Sequence, residues 1–169
     1  MANVDSRLVV QWDYYSIQLK TNKMLSITKI VHFEMAHAIH GYLGACKNIH
    51  GHSYELQVTI TDGKAINEYI PAPGFIIDFK ELKNCITKNI LQTFDHTILL
   101  STAYLADHPA LRSMENLLEW EMEPTAENLL IFIKKTLFKN LPNGTRLIKL
   151  KLLETRDSFA EWSNELHLL

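Results

Sequence analysis

The sequence has no long apolar run, no excess of one charge and few cysteines. Its 169 residues include 17 lysines and arginines against 19 aspartates and glutamates, a formal net charge of −2. A chain with no basic excess and no run of Lys and Arg is not expected to bind nucleic acid. No apolar stretch approaches the roughly 20 residues of a membrane-spanning helix, so we expect no membrane partner. The apolar stretches at the start of the chain are short and interrupted, so we expect no signal peptide.

Cysteine is scarce, and so are segments that would divide the chain. The sequence has two cysteines, Cys46 and Cys85, which is more typical of reduced thiols in a cytoplasmic protein than of a disulfide framework. There is no linker rich in proline, glycine or serine, and the length suits one domain that folds without a metal or a disulfide. We therefore predict a single domain over residues 25–169, preceded by an N-terminal extension over residues 1–24.

The apolar pattern predicts elements in the order β-β-α-α-β-β. Alternation of apolar and polar residues predicts four strands, over 25–37, 52–60, 147–155 and 159–162. Apolar residues at three- and four-residue steps predict two helices, which begin at the capping pattern Asp78–Glu81 and at Thr125. This order predicts an α+β fold with an antiparallel four-stranded sheet and two helices on one face.

The chain has eight histidines, and three of them are predicted to share one face. His50 and His52 are two residues apart on a strand, so their side chains point to the same side. His37 has the parity of the apolar residues in the preceding strand. If the two strands form a hairpin, the three imidazoles converge and leave the fourth position of a tetrahedral Zn²⁺ open, as in catalytic zinc sites. We therefore predict that His37, His50 and His52 bind zinc.

Alternatives to this interpretation stay open. A single histidine on an apolar face is more often a hydrogen-bonded core residue than a ligand, so the prediction depends on the set of three. His40 is an alternative first ligand, although it lies in the predicted loop. Cys46, four residues before His50, can act as a base or nucleophile if its pKa is lowered. It is equally open as a fourth zinc ligand or as an inert buried thiol.

Three further residues are candidates for acid–base or binding roles. Asp95 and His96 are adjacent, and a carboxylate beside an imidazole can tune it for proton transfer. The alternative is a solvated loop end. Glu154 ends the apolar face of a predicted strand, where a carboxylate needs partners. A ligand with paired N–H donors would satisfy it, whereas the alternative is an acid that reaches solvent.

With these residues in place, the sequence resembles the 6-pyruvoyltetrahydropterin synthase / 6-carboxytetrahydropterin synthase family from about residue 25 to residue 162. The motifs that carry the resemblance are FEMAH ending at His37, CKNIHGHSY at 46–54, GFIIDFKELK at 74–83, FDH at 94–96, PTAEN at 124–128 and LET at 153–155. The resemblance implies a tunnelling fold, in which the sheets of three subunits join into a barrel. It further implies a homo-hexamer built as a dimer of trimers, with active sites between subunits.

The resemblance also implies roles for the candidate residues. It implies Zn²⁺ on the three histidines and Cys46 as the base that abstracts a proton. Asp95 and His96 are implied to be the relay partners of that base. Glu154 is implied to anchor the pterin ring, and Thr125 to contact the ring as well.

The substrate of the family is 7,8-dihydroneopterin triphosphate, which has two known outcomes. One outcome eliminates triphosphate and keeps a pyruvoyl side chain. The other also cleaves the side chain and releases acetaldehyde, giving 6-carboxy-5,6,7,8-tetrahydropterin in the queuosine precursor pathway. The C-x-x-x-H-G-H spacing from Cys46 to His52 resembles the carboxy-forming branch, so we expect a zinc-dependent lyase with that product. The alternatives are the pyruvoyl enzyme and a non-catalytic oligomer that binds zinc and pterin.

The span from Ile98 to Glu123 is longer than usual in the family, and we treat it as an enlarged insertion. We expect a helix within residues 109–120 and a position at the mouth of the active site, the alternative being a surface excursion. The insertion also carries four acidic residues, Glu115, Glu119, Glu121 and Glu123. Near a triphosphate, these carboxylates would repel it.

Overall fold

The computed structural model describes residues 24–64 and 69–164. The predicted extension over 1–24, apart from Met24, therefore lies outside the described residues. The strands are β1 (Ile27–His37), β2 (His50–Thr61), β3 (Thr97–Ser101), β4 (Leu117–Trp120), β5 (Arg146–Leu153) and β6 (Phe159–Ser163). The helices are α1 (Phe79–Ile86), α2 (Gln92–Phe94), α3 (Thr102–Asp107) and α4 (Ala126–Asn140). A π-helical turn, Thr87–Leu91, joins α1 to α2, and short 3₁₀ turns occupy Ala45–Lys47 and Pro109–Ser113.

The predicted hairpin is present, with β1 and β2 paired antiparallel along their whole length. Its register sets Phe33 opposite Tyr54, and these two rings stack with their centroids 5.0 Å apart. Residues of one parity are buried on both strands, as the alternation predicts. The same register sets His37 opposite His50, which brings the predicted ligands to one end of the hairpin.

The two predicted helices begin where the capping residues indicate. The Asp78 carboxylate accepts a hydrogen bond from the backbone N–H of Lys80, and the Thr125 hydroxyl accepts one from that of Asn128. Such caps satisfy N–H groups that have no partner within the helix. The buried sides of both predicted helices pack on one face of the sheet. The residues that they contribute to the main core are Leu82, Ile86, Ile90, Phe94, Leu129, Ile133 and Leu137.

The prediction of a four-stranded antiparallel sheet is wrong, because the sheet has six strands in the order β4-β3-β1-β2-β5-β6. The two added strands are parallel: β3 pairs with the end of β1, and β4 pairs with β3. Residues 97–101 read TILLS, a short apolar run without alternation. Strands buried on both faces have this pattern, so periodicity alone does not separate them from helix.

The helix expected within residues 109–120 is also absent. The chain there forms the 3₁₀ turn and then β4, whose alternating side chains contact two different cores. Leu118 and Trp120 pack against the main core, whereas Leu117 packs against a second, smaller cluster. The buried members of that cluster are Ala38, Leu100, Tyr104 and Leu105. The insertion is therefore an extension of the sheet with a core of its own. In the described part of the chain, no helix has the length and apolar character needed to cross a bilayer.

Candidate functional site

Three imidazoles meet where β1 ends and β2 begins. One ring nitrogen from each of His37, His50 and His52 lies within 4.8 Å of the others. The ring centroid of His37 is 4.5 Å from that of His50 and 5.2 Å from that of His52. Among the residues that the structure describes, no other group of three His, Cys, Asp or Glu side chains meets this criterion.

Backbone carbonyls fix which nitrogen of two of these rings carries the hydrogen. His37 Nδ1 lies 2.6 Å from the carbonyl oxygen of Pro124, and His50 Nδ1 lies 2.8 Å from that of Asn48. A carbonyl oxygen only accepts, so each Nδ1–H donates and each Nε2 keeps its lone pair. Histidines that bind metals characteristically donate their other ring N–H in this way.

The burial of His37 also fits a histidine that binds a metal. Its Nε2 atom is buried and has no hydrogen-bond partner. Burial lowers the pKa of the His37 imidazole, although the Pro124 carbonyl and Glu154 act in the opposite direction. The neutral ring is the form that binds a metal. The three histidines could therefore hold a metal ion, and the residue types fit Zn²⁺.

A cavity of about 390 Å³ opens beside the histidines. Its lining includes the three histidines and the predicted site residues Cys46, Thr125 and Glu154, together with Tyr42, Ser158 and Phe159. The Cys46 side chain is exposed on the 3₁₀ turn before β2. Both of the chain's cysteines are free, so a disulfide is absent. A cavity of this size suits a small heterocyclic ligand.

Glu154 lies just beyond the end of β5 and has a partner that the sequence does not reveal. The Tyr54 hydroxyl donates a hydrogen bond of 3.1 Å to Glu154 Oε1, and His37 Nε2 lies 3.8 Å from the same oxygen. Burial, together with the negative charge of Glu154, raises the pKa of Tyr54. Alternation along β2 places Tyr54 on the buried face, where a tyrosine hydroxyl needs a partner. Its position on the same face as His50 and His52 is the signal that could have indicated the contact.

Asp95 and His96 lie outside this cavity within one chain. Asp95 Oδ1 accepts a hydrogen bond of 2.9 Å from the backbone N–H of Glu34, and Asp95 Oδ2 lies 3.9 Å from His96 Nε2. The His96 side chain is 81% exposed and borders a separate depression with Glu34, Ser53 and Asn116. The structure thus places Asp95 and His96 next to each other, but outside the cavity that contains Cys46 of the same chain.

The backbone of His96 is in the left-handed region, with φ of 60°. A non-glycine residue adopts this conformation rarely and at an energetic cost. Hydrogen bonds hold it on both sides: the His96 N–H donates to the Glu34 carbonyl, and the Asn116 side chain donates to the His96 carbonyl. The surrounding chain therefore holds the backbone of His96 in this conformation, while its side chain is exposed to solvent.

His40 and two acidic residues of the insertion have polar partners outside the histidine cluster. His40, the alternative first ligand, donates from Nε2 to Asp107 Oδ2 at 2.9 Å and is not part of the cluster. Two of the four acidic residues of the insertion are also engaged. Glu119 pairs with Arg112, and Glu123 accepts the backbone N–H of His40.

Comparisons with known proteins relate the chain to one family. A family model described as "6-pyruvoyl tetrahydropterin synthase" matches residues 26–165. The chain is 32% identical over 145 residues to 6-carboxy-5,6,7,8-tetrahydropterin synthase of Rickettsia typhi, an alignment covering 82% of this chain and 99% of the relative. It is 33% identical over 122 residues to 6-pyruvoyl tetrahydrobiopterin synthase of Dictyostelium discoideum, covering 72% and 76%. The structure of Caenorhabditis elegans 6-pyruvoyl tetrahydropterin synthase is similar in fold, with a TM-score of 0.61, 21% identity and coverage of 85% of this chain and 97% of that one.

Proposed function

The chain belongs to the 6-pyruvoyl tetrahydropterin synthase family, and from that premise we propose that it is a zinc-dependent lyase. The proposed reaction converts 7,8-dihydroneopterin triphosphate and one water molecule to 6-carboxy-5,6,7,8-tetrahydropterin, with release of acetaldehyde and triphosphate, in the queuosine precursor pathway. One observation carries the proposal. Three clustered imidazoles, an exposed thiol and a carboxylate line the same cavity.

His37, His50 and His52 would hold the Zn²⁺ ion. When bound, it supplies a Lewis acid that polarises the hydroxyl oxygens of the substrate side chain. The protein's part is to orient the rings. The bonds from Nδ1 of His37 and His50 to the carbonyls of Pro124 and Asn48 turn Nε2 of each ring toward the proposed ion.

Glu154 is the proposed anchor of the pterin ring. A carboxylate can accept two parallel hydrogen bonds from the ring N–H and the adjacent amino group, and such charged bonds are strong. The Tyr54 hydroxyl supports this role by holding Glu154 Oε1. Thr125 is the proposed second contact: its oxygen caps α4 by accepting from Asn128, while its O–H hydrogen is still free to be donated to the ring.

Cys46 is the proposed base, removing a proton from the substrate carbon next to a side-chain hydroxyl. The exposure of its thiol in the cavity that contains the histidines supports this assignment. Asp95 and His96 are the proposed relay for that proton. Since they lie apart from Cys46 in one chain, we propose that the relay comes from a neighbouring subunit of a homo-hexamer, a dimer of trimers.

The carboxy product is proposed over the pyruvoyl product on two grounds. The relatives named for the carboxy product align over more of this chain than those named for the pyruvoyl product. The short spacing from Cys46 to His50 points in the same direction. The pyruvoyl product remains the second candidate, because relatives of similar identity carry that name.

The test is to incubate the zinc-loaded protein with 7,8-dihydroneopterin triphosphate and to analyse the pterins by mass spectrometry, with a parallel acetaldehyde assay. We expect the mass of 6-carboxy-5,6,7,8-tetrahydropterin and an equal amount of acetaldehyde. A pyruvoyl product without acetaldehyde would assign the protein to the other branch. Binding of the pterin without any turnover would instead support a non-catalytic domain.

A further inference from the structure

The insertion, residues 98–123, holds the loop that carries Cys46, which we call the cysteine loop (residues 38–49). We propose that Asp107 and Glu123 of the insertion are positioning residues for the Cys46 thiol. This inference rests on the proposed function, since it concerns the geometry of the same base. Neither carboxylate lines the cavity, so both would act through the residues that they contact.

The first anchor is at the root of the cysteine loop. Ala38 follows β1 directly and is fully buried in the small core of the insertion, with Leu100 and Leu105. A close-packed core leaves a buried side chain little room to move. The path of the chain as it leaves β1 is therefore set by the insertion.

The second anchor is His40, which is held at both its main chain and its side chain. Its backbone N–H donates a 2.7 Å hydrogen bond to Glu123 Oε2, and its ring Nε2–H donates a 2.9 Å bond to Asp107 Oδ2. Ionised acceptors make shorter and stronger hydrogen bonds than neutral ones. Asp107 ends α3 and Glu123 precedes α4, so two separate elements hold this one residue.

A backbone hydrogen bond from Ile39 extends this restraint to Cys46. Ile39 lies between the two anchors, and its N–H donates a 2.9 Å bond to the carbonyl oxygen of Cys46. With Ala38 and His40 fixed, the direction of that N–H is fixed as well, and so is the backbone of Cys46. The tip of the loop lacks such restraint, since Leu43 is 97% exposed.

This arrangement predicts a particular kinetic signature. Releasing His40 would displace the proposed base, whereas the proposed ring anchor Glu154 lies on a different element and would stay in place. A displacement of about 1 Å at a reacting group costs up to about a hundredfold in rate. The turnover number should therefore fall while the Michaelis constant changes little.

The experiment compares Asp107→Ala and Glu123→Ala with two conservative variants, Asp107→Asn and Glu123→Gln, which keep an oxygen acceptor for His40. Glu119→Ala is the matched control, because it removes an insertion carboxylate whose partner is Arg112 and not the cysteine loop. The measurements are kcat and KM for 7,8-dihydroneopterin triphosphate, bound zinc per chain, and hydrogen–deuterium exchange of peptides that contain the Ile39 amide.

We expect both alanine variants to lower kcat by about tenfold or more, with KM within about twofold of wild type. Exchange at Ile39 should be faster, and zinc content unchanged. The conservative variants should restore both kcat and protection. Unchanged kcat in the alanine variants, loss of zinc from them, or an equal effect of Glu119→Ala would each overturn the inference. An inactive wild-type protein would refute the proposed function itself, whereas an active wild type with fully active alanine variants would refute this inference alone.

Discussion

At the scale of single residues, the site depends on where the hydrogen of each imidazole lies. A histidine ring has two nitrogens, and the hydrogen bond made by one decides what the other can do. For His37 and His50 a backbone carbonyl accepts from Nδ1. The buried Nε2 of His37 has no hydrogen-bond partner, which fits the proposed role of this atom as a metal ligand.

Substitution of Cys46 distinguishes a catalytic thiol from a fourth zinc ligand. We expect Cys46→Ala to lower turnover by about 10²–10⁴-fold, the range typical of a general base, while zinc content stays at the wild-type level. The measurements are steady-state kinetics and metal analysis of the same preparation. Cys85→Ala is the control, because the Cys85 thiol lies 3.2 Å from the carbonyl oxygen of Asn140, away from the cavity. Loss of zinc in the Cys46 variant would make this thiol a ligand.

Tyr54 gives a second prediction at this scale. Tyr54→Phe removes the hydroxyl that holds Glu154 Oε1 but keeps the ring that stacks on Phe33. A hydrogen bond to a charged group contributes about 1.5–3 kcal/mol. Since this bond orients the proposed ring anchor, we expect KM to rise by about tenfold, with a smaller change in kcat.

The contact between Tyr54 and Glu154 also has a matched control. Phe33→Leu removes the ring that stacks on Tyr54 but keeps the Tyr54 hydroxyl. Thermal stability should therefore fall while KM stays near the wild-type value. The interpretation fails if Tyr54→Phe leaves KM unchanged, or if Phe33→Leu raises KM equally.

At the scale of elements, the parts that sequence could predict are those with a strong local signal. The hairpin followed from the alternation in β1 and β2, and the helix starts followed from Asp78 and Thr125. The convergence of three histidines followed from parity together with the hairpin.

The parts that sequence could not predict depend on long-range contacts. β3 and β4 are short strands without clean alternation, and the parallel pairing of β3 with β1 and of β4 with β3 is decided by the tertiary structure. The bond between Tyr54 and Glu154 joins residues 100 positions apart, and the hold of Asp107 on His40 spans 67. No local pattern carries information about such pairs.

The small core of the insertion supplies the prediction at this scale. Leu105 on α3 is fully buried beside Ala38, so Leu105→Ala should leave a cavity and reduce the free energy of unfolding by about 2–5 kcal/mol. Leu43→Ala, at a position that is 97% exposed, should change it by less than about 0.5 kcal/mol. Chemical denaturation followed by circular dichroism measures both. An equal, small effect of the two substitutions would show that the insertion does not help to hold the fold.

At the scale of the whole molecule, one chain supplies only part of the proposed machinery. The cavity contains Cys46 and Glu154, whereas His96 borders a different depression and Asp95 lines neither. Within residues 24–64 and 69–164, no lysine or arginine lines the cavity, although the proposed substrate carries a triphosphate. Both observations favour a site completed by a neighbouring copy of the chain, as in a closed symmetric oligomer.

Mixing two inactive variants tests whether the site is shared. Cys46→Ala lacks the base and His96→Ala lacks the relay, so each homo-oligomer should be inactive. If the base of one subunit works with the relay of its neighbour, reassembly of an equimolar mixture from denaturant produces some sites that have both groups intact. Random assembly makes these about one quarter of all sites, and turnover should recover to about that fraction of the wild-type value. The control is the same mixture without denaturation. It should stay inactive, because each oligomer then still contains only one variant. Since a site confined to one chain would always lack one of the two groups, a reassembled mixture with no activity would refute the shared site.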